Sequence, residues 1–216
     1  MNTIELYNSV CLAASRTTTR RYSTSFSLGV LSLHERFRDP IHAIYGFVRF
    51  ADEIVDTFHA HDKPALLRRF WDDTHRAVAE GISLNPILHS YQAVVNRYGI
   101  EAELYDTFLR SMEMDLSDSV HDQRSYETYI LGSAEVVGLM CLRVFCEGDD
   151  ALYHRLRPAA MKLGAAFQKV NFLRDLKDDH MNLGRTYFPG IDMRNLSAAD
   201  KRAIEADIEA DFEAAL

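Results

Sequence analysis

The chain has 216 residues and 24 Lys+Arg against 32 Asp+Glu, for a formal net charge of −8. A chain of this length can bury roughly 70% of its extended surface, so it folds without disulfides or a structural metal. Net acidity argues against gripping nucleic-acid phosphates or holding a membrane by bulk charge, and a hydrophobic content of 47% excludes a disordered chain.

In chain order the elements are helical. Apolar periodicity predicts a helix over 4–15. Asp39-Pro40 reads as an N-cap with proline at the first helical position, opening a long apolar run over 41–58. A helix over 64–80 follows, and Asn85-Pro86 repeats the cap ahead of 87–98, which Gly99 ends. Helices are expected over 101–116 and 125–146, and Pro158 opens another over 159–180. Ser197 with Asp200 forms a capping box for a last helix towards Leu216. With no repeat, low-complexity tract or long linker, the expectation is one all-α domain over 1–216.

The most apolar stretch, 129–145, carries Glu135 and Arg143 and is under 18 residues, which reads as a buried core helix rather than a membrane span. The N-terminus lacks the basic-then-apolar order of a secretory signal. Cys11, Cys141 and Cys146 have no metal-ligand spacing and suit a reducing, cytoplasmic setting, with Cys141 and Cys146 read as inert buried thiols. Glu135 is either a buried group paired with an arginine or a rim residue.

Two helices carry polar stripes. In 41–58, Tyr45, Arg49, Asp52 and Asp56 are spaced 4, 3 and 4, on one side of an otherwise apolar helix. Two carboxylates one turn apart repel, so burying them calls for a cation nearby. A solvated acidic stripe is the plain alternative. In 159–180, Gln168, Asn171, Asp175 and Asp179 are spaced 3, 4 and 4, ringed by Phe167, Val170, Phe172 and Leu176. Asn and Asp oxygens are hard donors suited to Mg²⁺ together with phosphate oxygens, and each stripe has an arginine, Arg49 or Arg174, beside it. A di-iron bundle would need Glu-x-x-His motifs, and the sequence has none.

At these residues the chain resembles the squalene/phytoene synthase family of head-to-head isoprenyl diphosphate synthases, most closely phytoene synthase. Arg21-Tyr22-Ser23-Thr24-Ser25-Phe26 resembles the family's Ser-x-Ser-Phe segment. Val48-Arg49-Phe50-Ala51-Asp52-Glu53-Ile54-Val55-Asp56 resembles its first aspartate motif, and Gln168-Lys169-Val170-Asn171-Phe172-Leu173-Arg174-Asp175 with Asp179 its second. Gly184-Arg185-Thr186-Tyr187-Phe188-Pro189, Met112-Glu113-Met114-Asp115-Leu116 and Val137-Gly138-Leu139-Met140 also resemble family segments. In the family's Tyr-Cys-Tyr-x-Val-Ala-Gly segment, Tyr129 is kept, but Leu131 replaces the second tyrosine and Glu135 the glycine.

The resemblance implies a class I isoprenoid synthase bundle with a central cavity, and further helices beyond Leu216. It implies Mg²⁺ (or Mn²⁺) held by Asp52, Asp56, Asn171, Asp175 and Asp179, with Arg49 and Tyr129 joining the aspartates in the catalytic set. Ser23, Ser25, Phe26, Tyr45, Arg49, Gln168, Asn171, Arg174 and Tyr187 would bind substrate. The implied reaction condenses two geranylgeranyl diphosphates to phytoene without NADPH. Squalene or dehydrosqualene synthesis from farnesyl diphosphate, and a non-catalytic assembly role for the same fold, stand as alternatives. Isoprenyl diphosphates are the expected partners, with peripheral membrane association for product release and no nucleic acid. Because Ile204, Ile208, Phe212 and Leu216 recur every four residues, the last helix is also expected to leave an exposed apolar stripe, through which the chain either self-associates or, with its cavity open, binds substrate weakly.

Overall fold

Asn2 starts the first helix. Its side chain accepts the Glu5 N–H at 2.9 Å while the Glu5 carboxylate accepts the Asn2 N–H at 2.9 Å, a reciprocal cap that satisfies two otherwise orphaned donors. The computed structural model describes residues 2–117, 122–178 (backbone alone for 175–178), 188–189 and 196–216. Of the described residues 85% are helical, and none forms a strand. Its internal contacts divide it into two units, 1–102 with 143–149 and 103–142 with 150–216.

The first unit holds α1 (Thr3–Tyr22), α2 (Thr24–Ser32), α3 (Glu35–Asp56), α4 (Lys63–Glu80) and α5 (Pro86–Tyr98). The short α2 was not foreseen; Ser23 caps it by accepting the Phe26 N–H at 3.2 Å. α3 begins earlier than the Asp39-Pro40 signature implies. His34 is its cap and Pro40 lies inside the helix. Proline removes one backbone donor there, and Asp39, freed from capping, instead takes a two-pronged ion pair from Arg16 of α1 at 2.8 and 2.7 Å. At α5 the expected cap forms, with Asn85 accepting the Ile87 and Leu88 N–H groups. Phe47 of α3 centres the core, its ring stacked 3.9 Å from Tyr91 of α5 and 5.6 Å from Phe70 of α4. That packing buries one side of α3 and leaves the Tyr45–Asp56 stripe half-buried beside it.

The second unit holds α6 (Ala102–Ser117), α7 (Gln123–Ile130), α8 (Val136–Cys146), α9 (Asp150–Asp178) and α10 (Ala198–Ala214), apart from the helix ends assigned to the first unit. The helix expected over 125–146 is interrupted by a π turn, Leu131–Glu135. α9 starts at Asp150, so Pro158 sits inside it rather than opening it. The run Gln123–Cys146 is apolar and long enough by composition to cross a bilayer, and half of its most apolar window is buried. It packs as a core helix.

Two glycines let the backbones around the π turn approach. A Cβ at Gly132 would stand 2.6 Å from the Ser111 Cβ and 2.9 Å from the Thr107 carbonyl oxygen of α6. At Gly164 of α9 it would stand 2.8 Å from the Ala134 carbonyl oxygen. The neighbour at Gly164 is backbone and cannot swing aside. Gly164→Ala is therefore expected to destabilise the protein by about 1–3 kcal/mol, the usual cost of overpacking, read as a lower denaturant midpoint with unchanged slope.

The last helix differs from expectation. Ile204 and Ile208 are buried at 4% and 7% exposure in a cluster with Tyr126, Tyr129, Phe172 and Phe188, and Phe212 meets Phe167 edge-on at 5.7 Å. The stripe read as exposed is thus covered by α7 and α9, and only Leu216 of the four is exposed. Sequence spacing shows that a helix has an apolar side, but not that a neighbour in the same unit already lies on it.

Candidate active site

The site in the first unit is built where α1 turns into α2 beside the middle of α3. The Arg49 guanidinium lies between three groups: its Nη1 donates to Asp52 Oδ2 at 2.6 Å, its Nη2 donates to Glu53, and its plane covers the Tyr22 ring at 4.5 Å from the centroid. Its Nε–H is buried with no hydrogen-bond acceptor among the described residues. Burial by itself would make this guanidinium easier to deprotonate, but Asp52 and Glu53 outweigh it and raise its pKa, so it is a permanent cation. One turn back, Tyr45 stacks on Phe26 at 4.7 Å, and its hydroxyl is in hydrogen-bonding contact with Ser23. Burial and the Asp52 charge raise the Tyr45 phenol, with Arg49 and Ser23 opposing them, so it stays protonated and able to donate. Ser25 Oγ lies 3.5 Å from Ser23 Oγ, and Asp56 is half-buried one turn beyond Asp52.

The first-motif set is therefore brought together: Ser23, Ser25, Phe26, Tyr45, Arg49 and Asp52 converge, with Asp56 next on the same helix face. The cation expected beside the carboxylates is Arg49 itself. Sequence reading missed Glu53 and Tyr22, the other two groups that orient it. The Arg49-x-x-x-Glu53 spacing carried that signal, since residues four apart share a helix face.

In the second unit, Gln168 and Asn171 are half-buried one turn apart on α9 and Arg174 is exposed. The Asp175 side chain, Asp179 and Tyr187 lie outside the described residues. Tyr129 is buried, and its hydroxyl donates to Asp115 Oδ2 at 2.8 Å, which ties the first tyrosine of its segment to a residue of the α6 segment. Burial pushes the Cys141 thiol up to about 12, in keeping with an unreactive cysteine.

Glu135 is half-buried in the π turn, and the charges that act on it are lysines and an aspartate of α9 and α10. Burial raises its pKa, Lys162 and Lys169 oppose that, and Asp211 adds to it. At the centre of this group Asp211 of α10 accepts from Lys162 at 2.8 Å and from Lys169 at 2.6 Å, and Asp207 pairs with Lys169 at 2.5 Å. Burial alone would push the Asp211 carboxyl up, but the two lysines together hold it below the usual carboxylate range.

The donor set of the first unit suits Mg²⁺. Asp52 and Asp56 offer carboxylate oxygens from successive turns, and Mg²⁺ is commonly held by one or two carboxylates plus water and substrate phosphate oxygens. No cluster of three or more His, Cys, Asp or Glu side chains gathers for a metal among the described residues. The Arg49 Nε–H, without an acceptor among the described residues, and the Tyr45 and Ser23 hydroxyls are donors near those carboxylates from which an anion can accept.

The described residues thus set carboxylates, a held guanidinium and a phenol along α3, with the Ser23 and Ser25 hydroxyls beside them at the start of α2. The solved structure of a dehydrosqualene synthase in complex with ligand superposes on the fold with a TM-score of 0.83 at 21% identity, covering 99% of this chain and 78% of that one. Residues 19–216 match the squalene/phytoene synthase family profile, and the chain belongs to that family. Its relatives include a presqualene diphosphate synthase of Rhodopseudomonas palustris, 27% identical over 192 residues that make up 85% of this chain and 65% of that protein. They also include the chloroplastic phytoene synthase 1 of Arabidopsis thaliana, 31% identical over 189 residues, 83% of this chain and 43% of that protein. The chain thus spans about two thirds of the bacterial relative's length and under half of the plant one's.

Proposed function

We propose that the chain is a Mg²⁺-dependent prenyltransferase that joins two geranylgeranyl diphosphates head to head to give phytoene. The observation that carries this reading is the α3 face, where Asp52 and Asp56 stand beside an arginine that Asp52, Glu53 and Tyr22 hold in one orientation, in a chain of this family. Asp52 and Asp56, with Asn171, Asp175 and Asp179, would hold the metal. When bound, Mg²⁺ supplies positive charge that stabilises a departing diphosphate. Arg49, with its fork held by Asp52 and Glu53, would offer its remaining Nε–H and its charge to phosphate oxygens, and Ser23, Ser25, Tyr45, Gln168 and Arg174 would donate to those that remain, with Tyr187 helping to close the site.

Loss of the first diphosphate leaves an allylic cation that apolar walls protect from water. The double bond of the second substrate attacks it and, with loss of a proton, forms a cyclopropylcarbinyl diphosphate. Loss of the second diphosphate, rearrangement and loss of another proton give the triene-centred hydrocarbon. The Asp-Glu-Ile-Val-Asp form of the first motif supports the C20 substrate. A cytoplasmic enzyme that touches the membrane to release its product fits this chemistry.

The second reading takes farnesyl diphosphate instead, and the relationship to a presqualene diphosphate synthase supports it. The test incubates the protein with Mg²⁺ and either substrate and identifies the product by mass. A C40 hydrocarbon from the C20 substrate is the expected result. Presqualene diphosphate or a C30 hydrocarbon, formed in preference, would move the assignment to the second reading. Absence of diphosphate release from either substrate would overturn both and favour a non-catalytic assembly role.

A further inference from the structure

The charge group between α9 and α10 lies outside the residues assigned above, yet it grips the helix that carries the second motif. Lys169 immediately follows Gln168 and precedes Asn171 by two residues. It is 7% exposed and bound by Asp211, itself 5% exposed, and by Asp207. Lys162, two turns earlier on α9, holds the same Asp211. At about 100° per residue, Lys162 and Lys169 point in nearly the same direction, while Gln168 and Asn171 lie roughly 100–180° around the helix from them. The ion pairs therefore grip one side of α9 and turn another side, with its oxygen donors, to a set direction.

An apolar seam alone would tolerate a small rotation or slide of α9, because dispersion contacts are numerous and weakly directional. A buried ammonium shared between two carboxylates has far fewer acceptable geometries, and buried ion pairs are better suited to specifying register than to adding stability. The π turn packs on the same stretch of α9 at Gly164, so the tight backbone approach limits rotation from a second side.

We propose that Asp211, acting through Lys169, is a positioning residue that sets the rotation of α9 and so the aim of the Gln168–Asn171 stripe at metal and diphosphate. This inference rests on the metal-diphosphate reading given above. The test uses the whole chain and measures binding rather than turnover: Mn²⁺ is titrated in the presence of inorganic diphosphate, and free Mn²⁺ is read by electron paramagnetic resonance. Asp211→Asn, which keeps the shape and removes the charge, is expected to weaken Mn²⁺ binding about tenfold, the lower end of the effect of removing an outer-shell partner, with Asp211→Glu restoring much of it.

Because Asp211→Asn leaves a buried lysine with one carboxylate fewer, a second variant separates stability from aim. Lys169→Met with Asp211→Leu replaces the pair by apolar side chains and is expected to match the parent in thermal midpoint while still binding Mn²⁺ about tenfold more weakly. Parent-like Mn²⁺ affinity in that folded double variant would overturn the positioning role. So would a loss of affinity in Asp211→Asn that simply tracks a loss of folded protein. A parent chain that binds no Mn²⁺ would instead overturn the metal reading, and this inference with it.

Discussion

Asp52→Ala is expected to lower diphosphate release by at least about a hundredfold while the far-ultraviolet circular dichroism and thermal midpoint stay close to the parent's. The carboxylate is a proposed metal ligand, and removing a group that organises charge in the transition state typically costs a factor of roughly 10²–10³ or more. The fold should scarcely notice. The Asp52 side chain is 30% exposed and its ion pair with Arg49 is only partly shielded from water, so the pair contributes about 0–1 kcal/mol. Glu53 still binds the guanidinium when Asp52 is gone. The paired measurement is turnover under saturating Mg²⁺ and a thermal melt of the same sample. Turnover near the parent's would remove Asp52 from the metal site and return the α3 stripe to an ordinary half-solvated face.

Arg49→Lys is expected to cost nearly as much although charge is preserved. In the structure the guanidinium uses separate nitrogens for Asp52 and Glu53, sits over the Tyr22 ring, and keeps its Nε–H uncommitted among the described residues. A lysine ammonium is a compact point charge that can satisfy one carboxylate well, but it cannot span both carboxylates, cover the ring and keep a donor aimed elsewhere. The expected readout is a fall in kcat of about tenfold or more that added Mg²⁺ does not restore, since the defect lies in the fork and not in metal occupancy. Rescue of the lysine variant by high Mg²⁺ would reduce Arg49 to a spacer that keeps two carboxylates apart.

Particular residues show how far sequence alone reached. The all-α class, the Asn85 cap, the Ser197–Asp200 capping box and the grouping of Tyr45, Arg49, Asp52 and Asp56 on one helix face are consequences of spacing along a single helix. Such spacing is local, so it can be read before any packing is known. The starts of α3 and α9 lie upstream of Pro40 and Pro158, because a helix interior can carry a proline when neighbouring contacts offset the one lost hydrogen bond, so proline alone does not mark a beginning. α2 was missed because nine residues give too little periodicity to stand out, while its cap, Ser23, had already been noticed for another reason.

Family resemblance, the first polar stripe and the helical architecture are legible in the sequence itself, because motif residues and helix periodicity are properties of neighbours in the chain. Only the tertiary structure decided which groups orient Arg49, that Glu135 answers to lysines, and that Ile204 and Ile208 are covered. It alone showed Lys169 locked between carboxylates 38 and 42 residues away. Those outcomes depend on partners brought near by packing. The free energy of a buried charge or an apolar stripe is set by what lies across the interface, and residue spacing within one helix carries no information about that.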